Sequence, residues 1–239
     1  MGTRTLTFQP PWWATAALFA AGSLFVAAGF WQLDRADQKR ALFSEYELGG
    51  EGPVLQSLAQ IDSAERLRFQ LIELRGEYSS GQQILLDNML YEGKQGYQVL
   101  TPLKTAEGTV LVNRGWLAAS ADRRQLPDVS VAGGQRLIRA RIDRLPRPGI
   151  RLAASTAVPD SPWPRRLLYP TAAEIAAQLD TRLPDFQLLL SADQSDGYLR
   201  EWRPLVTGPD THFGYAVQWF GFTVAIAVIY LLLNLKRTA

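Results

Sequence analysis

The stretch "FGYAVQWFGFTVAIAVIYLLLNL", Phe213 to Leu235, decides the architecture, because it contains no charged side chain and is closed by Lys236 and Arg237. About 20 apolar residues at ~1.5 Å rise cross the hydrocarbon core of a bilayer. A buried core helix is the competing reading, but a terminal apolar run closed by basic residues fits a membrane span better. Working outward, "PWWATAALFAAGSLFVAAGFWQL" (Pro11 to Leu33) repeats the pattern near the other end of the chain. Trp12, Trp13, Trp31, Tyr215, Trp219 and Tyr230 cluster toward the ends of the two stretches, where amphipathic rings sit at headgroup level. A secretory signal peptide, with Arg4 as its basic region and Val26 and Ala28 before a cleavage site, is the alternative for the first stretch. Its apolar run exceeds the usual ~7–15 residues, and two transmembrane helices are the preferred reading.

Two crossings put both termini on one side and the segment from Asp34 to Thr211 on the other. Charge does not fix the side. Arg4, Lys236 and Arg237 favour cytoplasmic termini, whereas Arg35, Lys39, Arg40, Arg200 and Arg203 flank the loop. The positive-inside bias also loses force for loops beyond ~60 residues.

The segment between the helices reads as a mostly β, α+β domain. Runs from Arg66 to Tyr78 and from Gln82 to Leu90 are strand-like, separated by "SSG". "GYQVLTPLK" and "TVLVNRGWL" form a hairpin through Thr105 to Gly108, and Gln135 to Leu145 alternates again. Pro146 to Pro164 is a long proline-rich loop. "RRLLYP" follows as a short strand, Thr171-x-x-Glu174 is a capping box that opens a helix running to Leu179, and "FQLLLS" closes the set.

With 47% hydrophobic residues, seven tryptophans and 20% charged residues in 239, the chain supports a folded core. A net charge of +2 is too balanced for a nucleic-acid footprint. The absence of cysteine removes disulfides, cysteine-ligated zinc, iron–sulfur clusters and thiol catalysis. A single histidine, His212, excludes a histidine-based triad in the domain between the helices, and neither a P-loop nor a G-x-G-x-x-G motif is present. A membrane-tethered hydrolase therefore has no locatable site. Asp87 and Asn88 read as turn capping at a strand end, and Arg114 in "VNRGW" as a guanidinium with a carboxylate neighbour.

At 100° per residue, His212, Tyr215, Ala216, Trp219 and Thr223 share one face of the second helix, opposite Gly214, Gln218, Gly221 and Ala225. Small residues let helices approach closely in lipid, so the Gly214/Gly221 face is expected against the first helix. Gly22, Gly29 and Gln32 share one side there and Trp31 points away; Gln32 and Gln218 then meet across the antiparallel seam. His212, Tyr215 and Trp219 are left facing outward at the interface. On periodicity alone, the plainer reading of His212 is an aromatic-belt residue.

"GFWQLDR" (Gly29 to Arg35), "GEY" followed by "LLDN" (Gly76 to Asn88), "GYQVLTPL" (Gly96 to Leu103), "VLVNRGWL" (Val110 to Leu117) and "HFGYAVQWF" (His212 to Phe220) occur in that order. Together they resemble the successive signatures of the Surfeit locus protein 1 family, assembly factors of cytochrome c oxidase. Met89 departs from the pattern, which implies arginine there, and Pro146 to Asp185 carries little of the resemblance.

The resemblance implies a role in delivering haem a to oxidase subunit I, with His212 as ligand to the haem iron. Haem a synthase enters as a further candidate partner. On this reading Tyr215, Trp219 and Trp31 supply an aromatic wall, and Arg35 meets a haem propionate. One axial ligand leaves the other position open for handover, and the iron chemistry belongs to the cofactor, so no enzymatic step is expected. The resemblance also implies a large domain facing the periplasm or intermembrane space. Only 11 residues precede the first helix, which leaves no room for a transit peptide and favours a bacterial inner membrane. The expected order is a cytoplasmic segment 1–11, helix 12–33, periplasmic domain 34–211, helix 212–235 and cytoplasmic segment 236–239. A scaffold that grips an oxidase subunit without haem is the alternative.

Overall fold

The computed structural model describes residues 5–147, 162–202 and 208–238. Arg4, Arg203 and most of the Pro146–Pro164 loop lie outside the described residues. The chain divides into two compact units, Met1–Ser44 with Pro204–Ala239, and Glu45–Arg203.

The first unit is a helical hairpin. Helix α1 spans Trp12–Glu51 and helix α3 spans Pro209–Asn234; both are long and apolar enough to cross a membrane. Strands β1 (Thr5–Phe8) and β9 (Leu235–Thr238) pair antiparallel just beyond them, with Phe8 opposite Leu235. The ends expected as short tails are thus a two-stranded ribbon.

Helix α1 does not stop at Leu33. Its 40 residues extend ~60 Å, about twice the hydrocarbon thickness. The added part, "DRADQKRALFSEYELGGE", contains no proline. Gln38 donates to Asp34 at 2.8 Å, and Arg40 pairs with Asp37 at 2.8 Å, the i+4 and i+3 contacts that support a solvated helix. The helix ends just ahead of Pro53, as the restriction on residues before proline requires.

The second unit is built on strands β2 (Leu71–Tyr78), β3 (Ile84–Tyr91), β4 (Lys94–Thr105), β5 (Gly108–Ala118), β6 (Gln135–Asp143), β7 (Arg165–Leu167) and β8 (Gln187–Leu190). The sheet runs β2-β6-β8-β5-β4-β3-β7, and β4 also meets β2 through Glu77↔Lys104 and Tyr78↔Leu103. That pairing closes five strands into a barrel, leaving β3 and β7 as an extension. Inward residues alternate along each strand: Ile72, Leu74, Val110, Val112, Ile138, Ala140, Ile142 and Leu188 fill the barrel.

Helix α2 (Ala172–Leu179) lays Ala172, Ile175 and Leu179 on a second cluster with Ile84, Leu86, Leu100 and Leu167. Its capping box forms as the sequence demands: Thr171 accepts from the Glu174 N–H at 3.2 Å, and Glu174 accepts from the Thr171 N–H at 2.8 Å. The last two turns of α1, from Glu45, also belong to this unit. A side chain at Gly49 would meet the Phe69 backbone at 2.7 Å, while Arg141 donates to the Tyr46 carbonyl at 2.9 Å.

Candidate functional site

The hairpin is packed through alternating steps of four and three. On α1, Thr15, Leu18, Gly22, Phe25, Gly29 and Gln32 are shielded; on α3, so are His212, Ala216, Trp219, Thr223, Ile226 and Tyr230. An average step of 3.5 residues keeps one stripe of each helix facing its neighbour. Large side chains of α3 enter gaps left by glycines of α1. A Cβ on Gly29 would lie 2.6 Å from the Phe220 ring, and one on Gly22 would lie 4.0 Å from Ile226. Phe25 packs at a tilt against the rings of Trp219 and Phe222 with centroids 5.6 and 5.9 Å away, and the Thr15 and Tyr230 hydroxyls bond at 2.6 Å.

This seam corrects the expected pairing. Among the described residues, no atom beyond their own helix lies within 4 Å of where a Cβ on Gly214 or Gly221 would be, and Gln218 is exposed. The two faces of α3 are divided as its periodicity indicates, but the opposite one meets α1. Close approach requires small residues on only one partner, and α1 supplies them. Gln32 therefore meets His212, not Gln218: His212 Nδ1 lies 2.9 Å from Gln32 Oε1. The spacings 212, 216, 219, 223 and 214, 218, 221, 225 are equally regular, so periodicity marks both faces and the packing selects the first.

The expected aromatic wall is divided. Trp219 is half-buried in the seam against Phe25, while Tyr215 is 49% and Trp31 54% exposed. The Arg35 guanidinium sits 5.7 Å from the Trp31 ring centre and donates to Gln38 at 2.9 Å. His212 is half-buried, and among the described residues Gln32 is its only hydrogen-bond partner. One ring nitrogen is therefore held and the other is left over, the condition a haem-iron ligand requires. A planar guanidinium with five donors retains capacity for a carboxylate after its bond to Gln38.

The barrel unit uses its motif residues for architecture. In "VNRGW", Asn113 donates to Gln98 at 2.9 Å and to Gln187 at 3.0 Å, and the Trp116 indole donates to the Met89 carbonyl at 2.8 Å. Gly115 has φ +115°, and a Cβ there would meet the Leu199 carbonyl at 2.7 Å. Arg114 is buried, but among the described residues its hydrogen-bond partners are not carboxylates. It donates to the main-chain carbonyls of Asp196 at 2.6 Å and Val129 at 2.8 Å, so the guanidinium ties two loops to the barrel. Asp87 accepts from the Asn88 N–H at 2.6 Å at a bulge inside β3 where Asn88 has φ +60°, so the pair bends a continuing strand and does not cap a turn at its end as expected. It also pairs with Arg123 and, at 3.6 Å, with Arg166. Burial pushes the Tyr78 hydroxyl up to about 12, against the opposing pull of Arg114 and Arg136. Among the described residues no cluster of three or more His, Asp or Glu could hold a metal ion.

The chain is of the class that sets a barrel domain, in sequence, between two helices long and apolar enough to cross a membrane, with one half-buried histidine in the helical seam. The SURF1 family profile matches residues 19–224, and the chain belongs to that family, whose members are cytochrome oxidase assembly factors and not enzymes. It is similar to a SURF1-like protein of Rickettsia felis, 25% identical over 226 residues that cover 88% of this chain and 92% of the relative. A SURF1-like protein of Rickettsia conorii is 23% identical, covering 93% and 91%. One from Dictyostelium discoideum is 30% identical over 102 residues, 38% of each chain.

Proposed function

We propose that this chain assists assembly of cytochrome c oxidase by holding haem a through His212 and passing it to subunit I. It would do so in a bacterial inner membrane with the barrel domain in the periplasm. The observation that carries the reading is the chain's single imidazole, held in the helical seam by one nitrogen with the other left over. Some members of the family bind haem. Haem a, when bound, supplies the redox iron; the chain supplies an axial nitrogen from His212, apolar surface from Tyr215 and Trp31, and a cation at Arg35 for a propionate. Haem a synthase fits as the donor of this cargo.

The test is a visible spectrum of detergent-solubilised protein from a host that makes haem a, compared with His212→Ala. A haem band in the wild type that disappears in a folded, equally abundant variant supports the reading. Equal haem in both proteins, or none in either, overturns it. The scaffold reading without haem then takes its place, with the exposed Gly214/Gly221 face as the surface to test.

A further inference from the structure

The bond between the helices has a polarity, and that polarity bears on the reading of His212 as a haem ligand. Gln32 presents its amide oxygen to Nδ1 at 2.9 Å. An amide oxygen only accepts, so this placement requires the proton on Nδ1 and leaves the lone pair to Nε2. We propose that Gln32 is a positioning residue that fixes His212 as the Nδ1–H tautomer and aims Nε2 at the iron. The proposal rests on the haem reading above and adds to it a residue that does not itself touch the cofactor.

Metal-bound imidazoles donate their other N–H to an oxygen acceptor, which sets ring orientation and raises ligand basicity. Here the acceptor comes from the other helix, so the ring is oriented only while the hairpin is closed. Two packing contacts of the α1 stripe hold it closed nearby: Gly29 receives the Phe220 ring, and Phe25 packs tilted against Trp219. The arrangement joins helix pairing to ligand geometry through one hydrogen bond. A bare helix-pairing role for Gln32 would be indifferent to which nitrogen bears the proton.

The chain has one histidine, so an untagged protein labelled with 15N-histidine gives a single pair of imidazole signals. The haem-free wild type in detergent is expected to show the Nδ1–H form. Gln32→Leu is expected to lose that form and to bind haem a about 10–100-fold more weakly, the usual effect of removing an outer partner of a metal-bound histidine. Gln32→Glu, whose ionised carboxylate can only accept, is expected to keep the tautomer and restore most of the affinity. Crosslinking between Gly22→Cys and Ile226→Cys in each background shows that the hairpin is still formed.

An Nε2–H wild type overturns the proposal. So does a Gln32→Leu variant with a closed hairpin that binds haem as tightly as the wild type, while loss of haem in His212→Ala keeps the parent reading in place. Haem retained by His212→Ala, or no haem bound by the wild type, overturns both.

Discussion

At the scale of single residues, two buried polar side chains of the barrel give opposite expectations. Arg114 gives its donors to two loop carbonyls and lies beside the rings of Tyr78 and Tyr198, with its charge removed from water. Arg114→Met leaves those carbonyls without their donors and should cost about 3 kcal/mol, read as a lower unfolding midpoint of the full chain. The Tyr78 hydroxyl is buried and has no hydrogen-bond partner among the described residues, so Tyr78→Phe should be neutral or slightly stabilising at pH 7.

The same tyrosine makes the fold sensitive to alkali. Its folded value of about 12 lies above the ordinary 10.0, chiefly because burial disfavours the phenolate. Below pH 10 the group is neutral in both states and stability is at its full level. As pH rises from 10 toward 12 the unfolded chain loses the proton first and the barrel weakens, by about 2–3 kcal/mol in all. Denaturant unfolding at pH 8 and pH 11.5 should show a smaller loss in Tyr78→Phe than in the wild type; equal losses would remove Tyr78 as the cause.

At the scale of elements, the seam of the hairpin predicts an asymmetry between glycines. Gly29→Leu drives a side chain into Phe220, whereas Gly214→Leu points into open space. The first should sharply reduce bismaleimide crosslinking of Gly22→Cys to Ile226→Cys, and the second should leave it unchanged. Gln32→Cys with Gln218→Cys is expected to crosslink poorly, because Gln218 lies on the exposed face. β6 was legible from its alternation of buried and solvated residues, and β4, β5 and β8 from short apolar runs bounded by turn residues; all four begin and end within a few residues of the positions expected. The capping box was legible because its chemistry is local. Which face of α3 meets α1 was not, since periodicity divides a helix into faces without saying which has a neighbour. The extension of α1 to Glu51 was missed for a related reason: its charged residues read as the start of a new domain, although nothing in them breaks a helix. Closure of the barrel was also hidden, because it depends on two residue pairs, Glu77↔Lys104 and Tyr78↔Leu103, joining strands separated by a third.

At the scale of the whole chain, the two ends are coupled, and that coupling sets apart the outcomes expected of an anchored hairpin and of a processed precursor. β1 pairs with β9, the Gln9 N–H donates to the Asn234 carbonyl at 3.1 Å, and Phe8 meets the Tyr230 ring edge-on with centroids 5.8 Å apart. Cleavage after Ala28 would remove β1 and the Thr15, Leu18, Gly22 and Phe25 positions of the seam, leaving α3 without most of its apolar partner. The glycine-to-aromatic packing is therefore an argument that both helices stay in the mature protein, which a signal peptide has no reason to provide. The expected outcome is that membrane-extracted protein contains peptides from α1 when digested and analysed by mass spectrometry. Reporters fused at the two ends should also give the same compartment signal, since paired strands cannot lie on opposite sides of a bilayer. A mature chain beginning near Gly29 would refute the hairpin and remove Thr15 and Phe25 from the packing that holds His212 against Gln32.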